Sequence, residues 1–230
     1  MKTLLTLILL VSTTLLFAGN KTIKVSDFNS IVAIGNYKVT LIKSDKNSVE
    51  FINKDDKVTD EKINVIVEGA QLTLKIKNDT YVQRDIEFKV YYKEIIEITS
   101  KKGALINGKD VFTGTKVELL VNMGGRIDIM LDCQNIEATV KNGGTVKISG
   151  KTNNAEYFIS KGGSIVAFDL YASVVRSEVL FGGEITLYAK KTLDALVKSG
   201  GTIKFKGNPS EVSQDVKLGG NIINLKAEWN

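Results

Sequence analysis

The residues able to do chemistry are few, and their types exclude more than they offer. The 230-residue chain has no histidine and a single cysteine, Cys133. Without histidine there is no Ser-His-Asp or Cys-His nucleophile and no histidine-bearing zinc site. One thiol allows neither a thiolate metal cluster nor an internal disulfide, so Cys133 reads as a small buried hydrophobe. No Gly-Gly pair leads into the Gly-Lys-Ser/Thr ending of a phosphate loop. Carboxylates are what remain. Asp128 and Lys147 recur at one place in a repeating pattern, so they would stand side by side as an acid and a proton acceptor. The plainer reading is an ion pair on a solvated face, worth well under about 1 kcal/mol. No second carboxylate joins them, as glycoside hydrolysis would need. Asp55-Asp56 and Asp60-Glu61 lack the alternating oxygen spacing of a calcium loop. No catalytic residue, metal ligand or cofactor is assigned.

The elements that would position any such group announce themselves by repetition. Gly-Gly pairs stand at Gly124-Gly125, Gly143-Gly144, Gly162-Gly163, Gly182-Gly183, Gly200-Gly201 and Gly219-Gly220, at intervals of 19, 19, 20, 18 and 19 residues. A near-fixed period marks a repeat architecture. Three residues before each pair stand Val121, Val140, Ile159, Val179, Val197 and Val216. Three after its first glycine stand Ile127, Val146, Ile165, Ile185, Ile203 and Ile222. Ile129, Ile148, Ala167, Leu187 and Phe205 continue the apolar column two places on, until Asn224 breaks it. Between them lie Asp128, Lys147, Thr186 and Lys204, with Val166 and Ile223 as exceptions. Period-two alternation rich in Val and Ile is the strand signal.

The sequence therefore predicts an all-β, parallel β-solenoid. Each coil would run strand, Gly-Gly corner, strand and then a polar return such as Lys151-Thr152-Asn153-Asn154. Glycine suits the corner because it accepts positive φ and leaves room for the next coil. Coils pairing at the usual strand spacing make six of them a rod roughly 30 Å long. A lone coil buries too little to fold, so stability comes from stacking.

Residues 19–102 read as irregular β coils or a cap, and residues 103–230 as the Gly-Gly solenoid, the two continuous with each other. In the first part the β-rich runs are Ile23–Val25, Ile31–Leu41, Val49–Ile52, Ile63–Val67, Leu72–Ile76 and Ile86–Tyr92, with Asn53–Lys62 as a charged loop. Ser100-Lys101-Lys102-Gly103-Ala104 reads as a degenerate corner one coil before Gly124. An open solenoid end exposes unpaired strand groups, so a cap is expected.

Residues 1–18 read as a secretion signal: Met1-Lys2, the apolar run Leu4–Phe17, then small residues at Ala18-Gly19. The run is short of the roughly 20 residues that span a bilayer, so no stable transmembrane span is expected after cleavage. The charge, +5 from 31 basic and 26 acidic residues, is spread along the chain. It shows none of the clustered Arg and aromatic residues of a nucleic-acid reader.

Three stretches carry a family resemblance. They are Phe28-Asn29-Ser30-Ile31-Val32-Ala33 followed by Val39-Thr40-Leu41, Gly69-Ala70-Gln71-Leu72-Thr73-Leu74, and the Gly-Gly series with Gly207-Asn208-Pro209 and Gly219-Gly220. Over Phe28 to Ile222 the chain resembles the auto-transporter adhesin head, or GIN, domain of exported Bacteroidota proteins. That resemblance implies a β-helix-like fold, a role in adhesion or cell-surface binding, and no catalytic residues. The repeats run to the final residues, so no membrane barrel of ten-residue strands is expected after them.

Binding is then expected on outward columns. On the third and fourth marked coils Phe158, Val166, Phe168, Leu180 and Tyr188 are predicted to point outward. A contiguous apolar strip marks an interaction site, and aromatic rings suit sugars and proteins alike. The alternative is packing of that strip against the N-terminal coils. The functional expectation is a non-enzymatic, exported module of the periplasm or cell surface. Its partner would be a glycan or an envelope protein. A polysaccharide-active β-helix enzyme using Asp128 and Lys147 is one alternative, and a structural protein that forms homo-oligomers through its outward strip is another.

Overall fold

The computed structural model describes residues 21–55, 57–77 and 85–225, so the expected signal at 1–18 lies outside the described residues. The first part holds β1 (Lys21–Lys24), β2 (Ser30–Ile34), β3 (Lys38–Lys43), β4 (Ser48–Asn53), β5 (Ile63–Glu68), β6 (Gln71–Ile76), β7 (Ile86–Tyr92) and β8 (Glu97–Lys101). The second holds β9 (Leu105–Asn122), β10 (Arg126–Lys141), β11 (Thr145–Lys161), β12 (Ser164–Phe181) and β13 (Glu184–Ser199). It ends with β14 (Thr202–Lys206), β15 (Glu211–Leu218) and β16 (Asn221–Asn224). The charged loop after β4 carries a single 3-10 turn, Asp60–Lys62.

From β9 onward the chain is a parallel β-solenoid. Ile127 of β10 faces Val146 of β11, which faces Ile165 of β12, then Ile185 and Ile203. The columns predicted from the Gly-Gly flanks therefore stack coil upon coil. Ten of those twelve β-branched residues are fully buried. The exceptions are on the last coil, where Val216 is exposed and Ile222 half-buried, because no described coil covers them.

One expectation about the coil is corrected. The polar stretch Lys151–Asn154 is not a return outside the sheet but part of β11, paired in register with Asp132, Cys133 and Asn135. Side chains make this possible. Buried Thr152 donates its hydroxyl to Gln134 and Asn154 carbonyls, and Asn154 Nδ2 donates to Asn135 Oδ1 at 2.8 Å. Polar groups inside a coil are tolerated when each finds a partner.

The two glycines of a corner do different work. Gly162 has φ +64 with nothing near the place a Cβ would take, so it serves the left-handed turn. Gly163 has φ +96, and a Cβ there would lie 2.7 Å from the Gly144 carbonyl oxygen of the coil below. The second glycines thus form a column of close backbone approach. The predicted degenerate corner fits beneath it: Lys102 and Gly103 have positive φ, and the Lys102 amide donates to the Asn122 carbonyl.

The N-terminal part begins in the same way and then departs. β2 and β3 stack in parallel beneath β8 and β9, so the run read as Ile31–Leu41 is two strands, broken at Gly35-Asn36. Beyond them β4 pairs antiparallel with both β1 and β7, and β5 pairs antiparallel with β6. Aromatic rings fill this wider region: Tyr37 lies 5.0 Å from Phe88, and Tyr92 stacks on Phe112 at 5.3 Å. One cluster of buried side chains runs from Phe28 to Phe205 through both parts. Among the described residues no helix is long and apolar enough to cross a membrane.

Candidate binding surface

Alternation leaves two sets of outward columns, one before and one after each Gly-Gly corner. The column after the corner reads Asn107, Asp128, Lys147, Val166, Thr186, Lys204 and Ile223. A column before it reads Glu97, Glu118, Glu137, Glu156, Arg176 and Asp194, with Leu120, Thr139, Phe158, Glu178 and Leu196 beside it.

This register divides the five residues predicted to bind. All are half-buried. Val166, Phe168 and Tyr188 follow a Gly-Gly corner, whereas Phe158 and Leu180 precede one. Phe158 lines an open hollow with Glu137, Glu156, Arg176 and Glu178, a largely charged setting. Leu180 lies between the Val179–Val197 and Phe181–Ser199 pairs, on the same side as Phe158 and two residues past its partner Glu178.

The other side holds an aromatic corner. Between β12 and β13 the register runs Ala167 to Leu187 and then Tyr171 to Tyr188, so Phe168, Asp169 and Leu170 have no opposite residues. Extra residues of this kind form a bulge, which bends a strand and re-aims its side chains. Leu170 turns into the core, while Asp169 and Tyr171 are exposed, Tyr171 to 60%. The Tyr171 and Tyr188 rings meet edge to face at 5.0 Å. Lys206, in register with Tyr188, places its Nζ 4.6 Å from the centre of the Phe168 ring. Tyr188 and Phe168 thus each contact a residue that the sequence reading did not name, Tyr171 and Lys206 respectively. The signal for them was in the spacing: the coil from Gly162 has 20 residues and the next has 18.

The remaining candidates are structural. Asp128 and Lys147 do stand side by side, at 3.3 Å, with both side chains exposed. The same coil-to-coil pairing recurs in Asp132–Lys151 at 3.0 Å, Glu178–Lys198 at 2.9 Å and Glu184–Lys204 at 2.8 Å. Asp128–Lys147 is thus one rung of a ladder, and exposed pairs of this kind are worth little. The glutamate column is tempered by Lys116, which bridges Glu118 and Glu137 at 2.7 and 2.8 Å. Those two hydrogen bonds raise the Lys116 pKa above its ordinary value. Cys133 is buried beside Thr152 and the Asn135 carbonyl, and burial pushes its thiol pKa up. A raised thiol pKa opposes the reactive thiolate. Among the described residues no group of three or more Cys, Asp or Glu side chains is placed to hold a metal ion.

The fold recurs in solved structures. A putative adhesin from Bacteroides fragilis NCTC 9343 shares 24% identity over 90% of this chain and 96% of its own, with a TM-score of 0.77. A putative adhesin from Parabacteroides merdae ATCC 43184 shares 20% identity, with 90% and 95% coverage and a TM-score of 0.71. A protein of Parabacteroides distasonis ATCC 8503, described as a putative lipid binding protein, shares 22% identity, with 90% and 96% coverage and a TM-score of 0.70. At these identities the likeness is one of fold. No curated protein sequence matches the chain. The profile of a family described as "Putative auto-transporter adhesin, head GIN domain" matches residues 27–209 of the 230, and the chain belongs to that family.

Proposed function

We propose that this protein is a non-enzymatic, exported binding module of the bacterial cell envelope, an adhesin-head-like rod that recognises glycans at the aromatic corner. The observation that carries the reading is the edge-to-face pair of Tyr171 and Tyr188 at the β12 bulge that also holds Phe168, whose ring lies under the Lys206 ammonium. Aromatic faces present apolar area at little entropic cost and stack on the C–H faces of sugar rings, while the lysine supplies a donor and a charge for acidic groups. The corner lies on paired strands of the solenoid, so the rings are held before any ligand arrives. A surface with one exposed and two half-buried rings beside a lysine suits an extended polar chain; a lipid tail calls for a concave apolar pocket.

A glycan array read together with product analysis tests this. Intact protein should retain acidic or neutral oligosaccharides without altering them, and Tyr171→Ser should abolish retention while the melting temperature stays unchanged. Phe168→Ser and Tyr188→Ser should weaken it likewise. Release of shortened glycan would overturn the reading in favour of an enzyme. Unchanged retention by Tyr171→Ser would move the site away from this corner.

A further inference from the structure

The last coil is built like the others but has no described strand beyond it. β15 pairs only with β13, and β16 only with β14. The core columns end in the open: Val212 is 45% exposed and Val216 42%, whereas Leu193 and Val197, directly beneath them, are fully buried. Leu218, at 76%, is the most exposed of the large hydrophobic residues among those described. The opposite end of the molecule differs in kind, being closed by the antiparallel strands β1, β4 and β5. The edge strands there, β1 and β5, run antiparallel to their only partners, so the two ends of the molecule present unlike edges.

The backbone at the open edge has a fixed polarity. Outward residues donate to the preceding coil, as the Glu118 amide does to Ile96 and the Arg126 amide does to Ala104. In a strand the N–H and C=O of one residue point the same way and alternate along the chain. On β15 the inward residues Val212, Gln214 and Val216 must then turn their N–H and C=O groups to the free edge. An unpaired edge of this kind is a template for another strand.

We propose that a second copy of this chain occupies the edge, tail to tail. β15 pairs antiparallel with its counterpart about a twofold axis at Gln214. The sequence of the strand selects this register. With Gln214 opposite itself, Val212 meets Val216 of the second copy and the core columns continue across the junction. On the outer side Glu211 then faces Lys217 of the second copy, and the twofold axis makes that contact twice. A slip of two residues one way puts Asp215 opposite itself; the other way puts Glu211 opposite Asp215. Like charges directly opposite destabilise a pair of strands, and opposite charges support it. A twofold interface of this kind closes on itself as a dimer. The dimer presents two aromatic corners on one rod, so a repetitive ligand would be held by avidity.

Sedimentation of the purified protein over a range of concentrations tests the proposal, with Glu211→Lys, Lys217→Glu and the double exchange as probes. These side chains lie at the surface, so melting curves should show all three variants folded. The expected result is a dimer that each single variant weakens by about tenfold, since two cross-strand contacts change sign at once. The double exchange, which restores opposite charges in this register alone, should return the dimer. A protein that stays monomeric throughout would overturn the proposal. So would a dimer indifferent to the single variants, or one that the double exchange fails to rescue. A dimer that forms only after removal of residues 226–230 would also overturn it, by showing that the chain's own tail takes the edge.

Discussion

From Leu105 to Ser199 each coil is one long strand that pairs in parallel with its neighbours, and the core is mainly Val, Ile, Leu and Ala, with Phe112, Tyr157 and Phe205 as its buried rings. Between Lys21 and Lys101 eight short strands pair in both directions, and the core is widened by Tyr37, Phe51, Phe88 and Tyr92. The difference shows what each kind of packing demands. Stacked coils require small corners and side chains that repeat, because every position has a copy of itself above and below. The antiparallel end is freed from that rule and can spend large rings on closing the rod.

The largest effect that separates the two regions is the loss of a ring from the closed end. Phe88→Ala, which removes the ring packed on Tyr37 and Phe51, should cost about 3–5 kcal/mol in denaturant unfolding. Its counterpart in the coils, Ile165→Val, should cost only about 1 kcal/mol. Equal losses would mean that ring packing does not distinguish the regions.

Glycine substitutions should reverse the ranking. Gly163→Ala would drive a Cβ into the Gly144 carbonyl and the Val140 side chain, for a loss of about 2–4 kcal/mol from strain and overpacking together. Gly69→Ala, at the β5–β6 turn with φ +60 and open space around it, should lose about 1 kcal/mol. Thermal melts of the two variants decide this, and a larger loss at Gly69 would refute the assignment of close approach to the coils.

A smaller contrast lies in electrostatics. Lys147→Ala removes an exposed rung and should change stability by less than about 0.5 kcal/mol. At the closed end, burial pushes the Glu87 carboxyl up, but hydrogen bonds from Lys38 and Thr40 outweigh it and hold the pKa below the ordinary glutamate value. A carboxylate lowered on folding stabilises the fold above its unfolded pKa, and that contribution is lost as pH falls through the folded pKa. Glu87→Gln should therefore flatten the acid side of the melting-temperature profile.

The parallel coils were legible in the sequence because their period writes one rule many times. Val140 and Val146, with their equivalents on the other coils, announce both the strand and the face. The closed end was legible as strands but not as pairings. Ile31–Leu41 reads as one run, since only Gly35 marks the bend, and nothing local says that β4 will meet β7 antiparallel. The proposed binding surface was legible in part. Parity places Phe168 and Tyr188 outward, but counting from the nearest Gly-Gly pair does not reveal that three residues of β12 have no opposite residue on β13. Tyr171 enters the aromatic corner through that slip, and Phe158 is set apart by the corner between the two sides.

The unequal coils of 20 and 18 residues carry a consequence beyond the bulge they create. A surface residue on a stacked rod has two coordinates: its height, fixed by which coil it belongs to, and its sideways place, fixed by how many residues precede it in that coil. Height changes in steps of roughly 4.8 Å and sideways place in steps of roughly 3.3 Å, and the two are set independently. An insertion in one coil with a compensating deletion in the next returns the corners to phase while sliding a few side chains across the grid. Phe168, Tyr171, Tyr188 and Lys206 meet at such a displaced square. A rod of this kind can gain a new recognition surface by a shift in count, with every core column left in place.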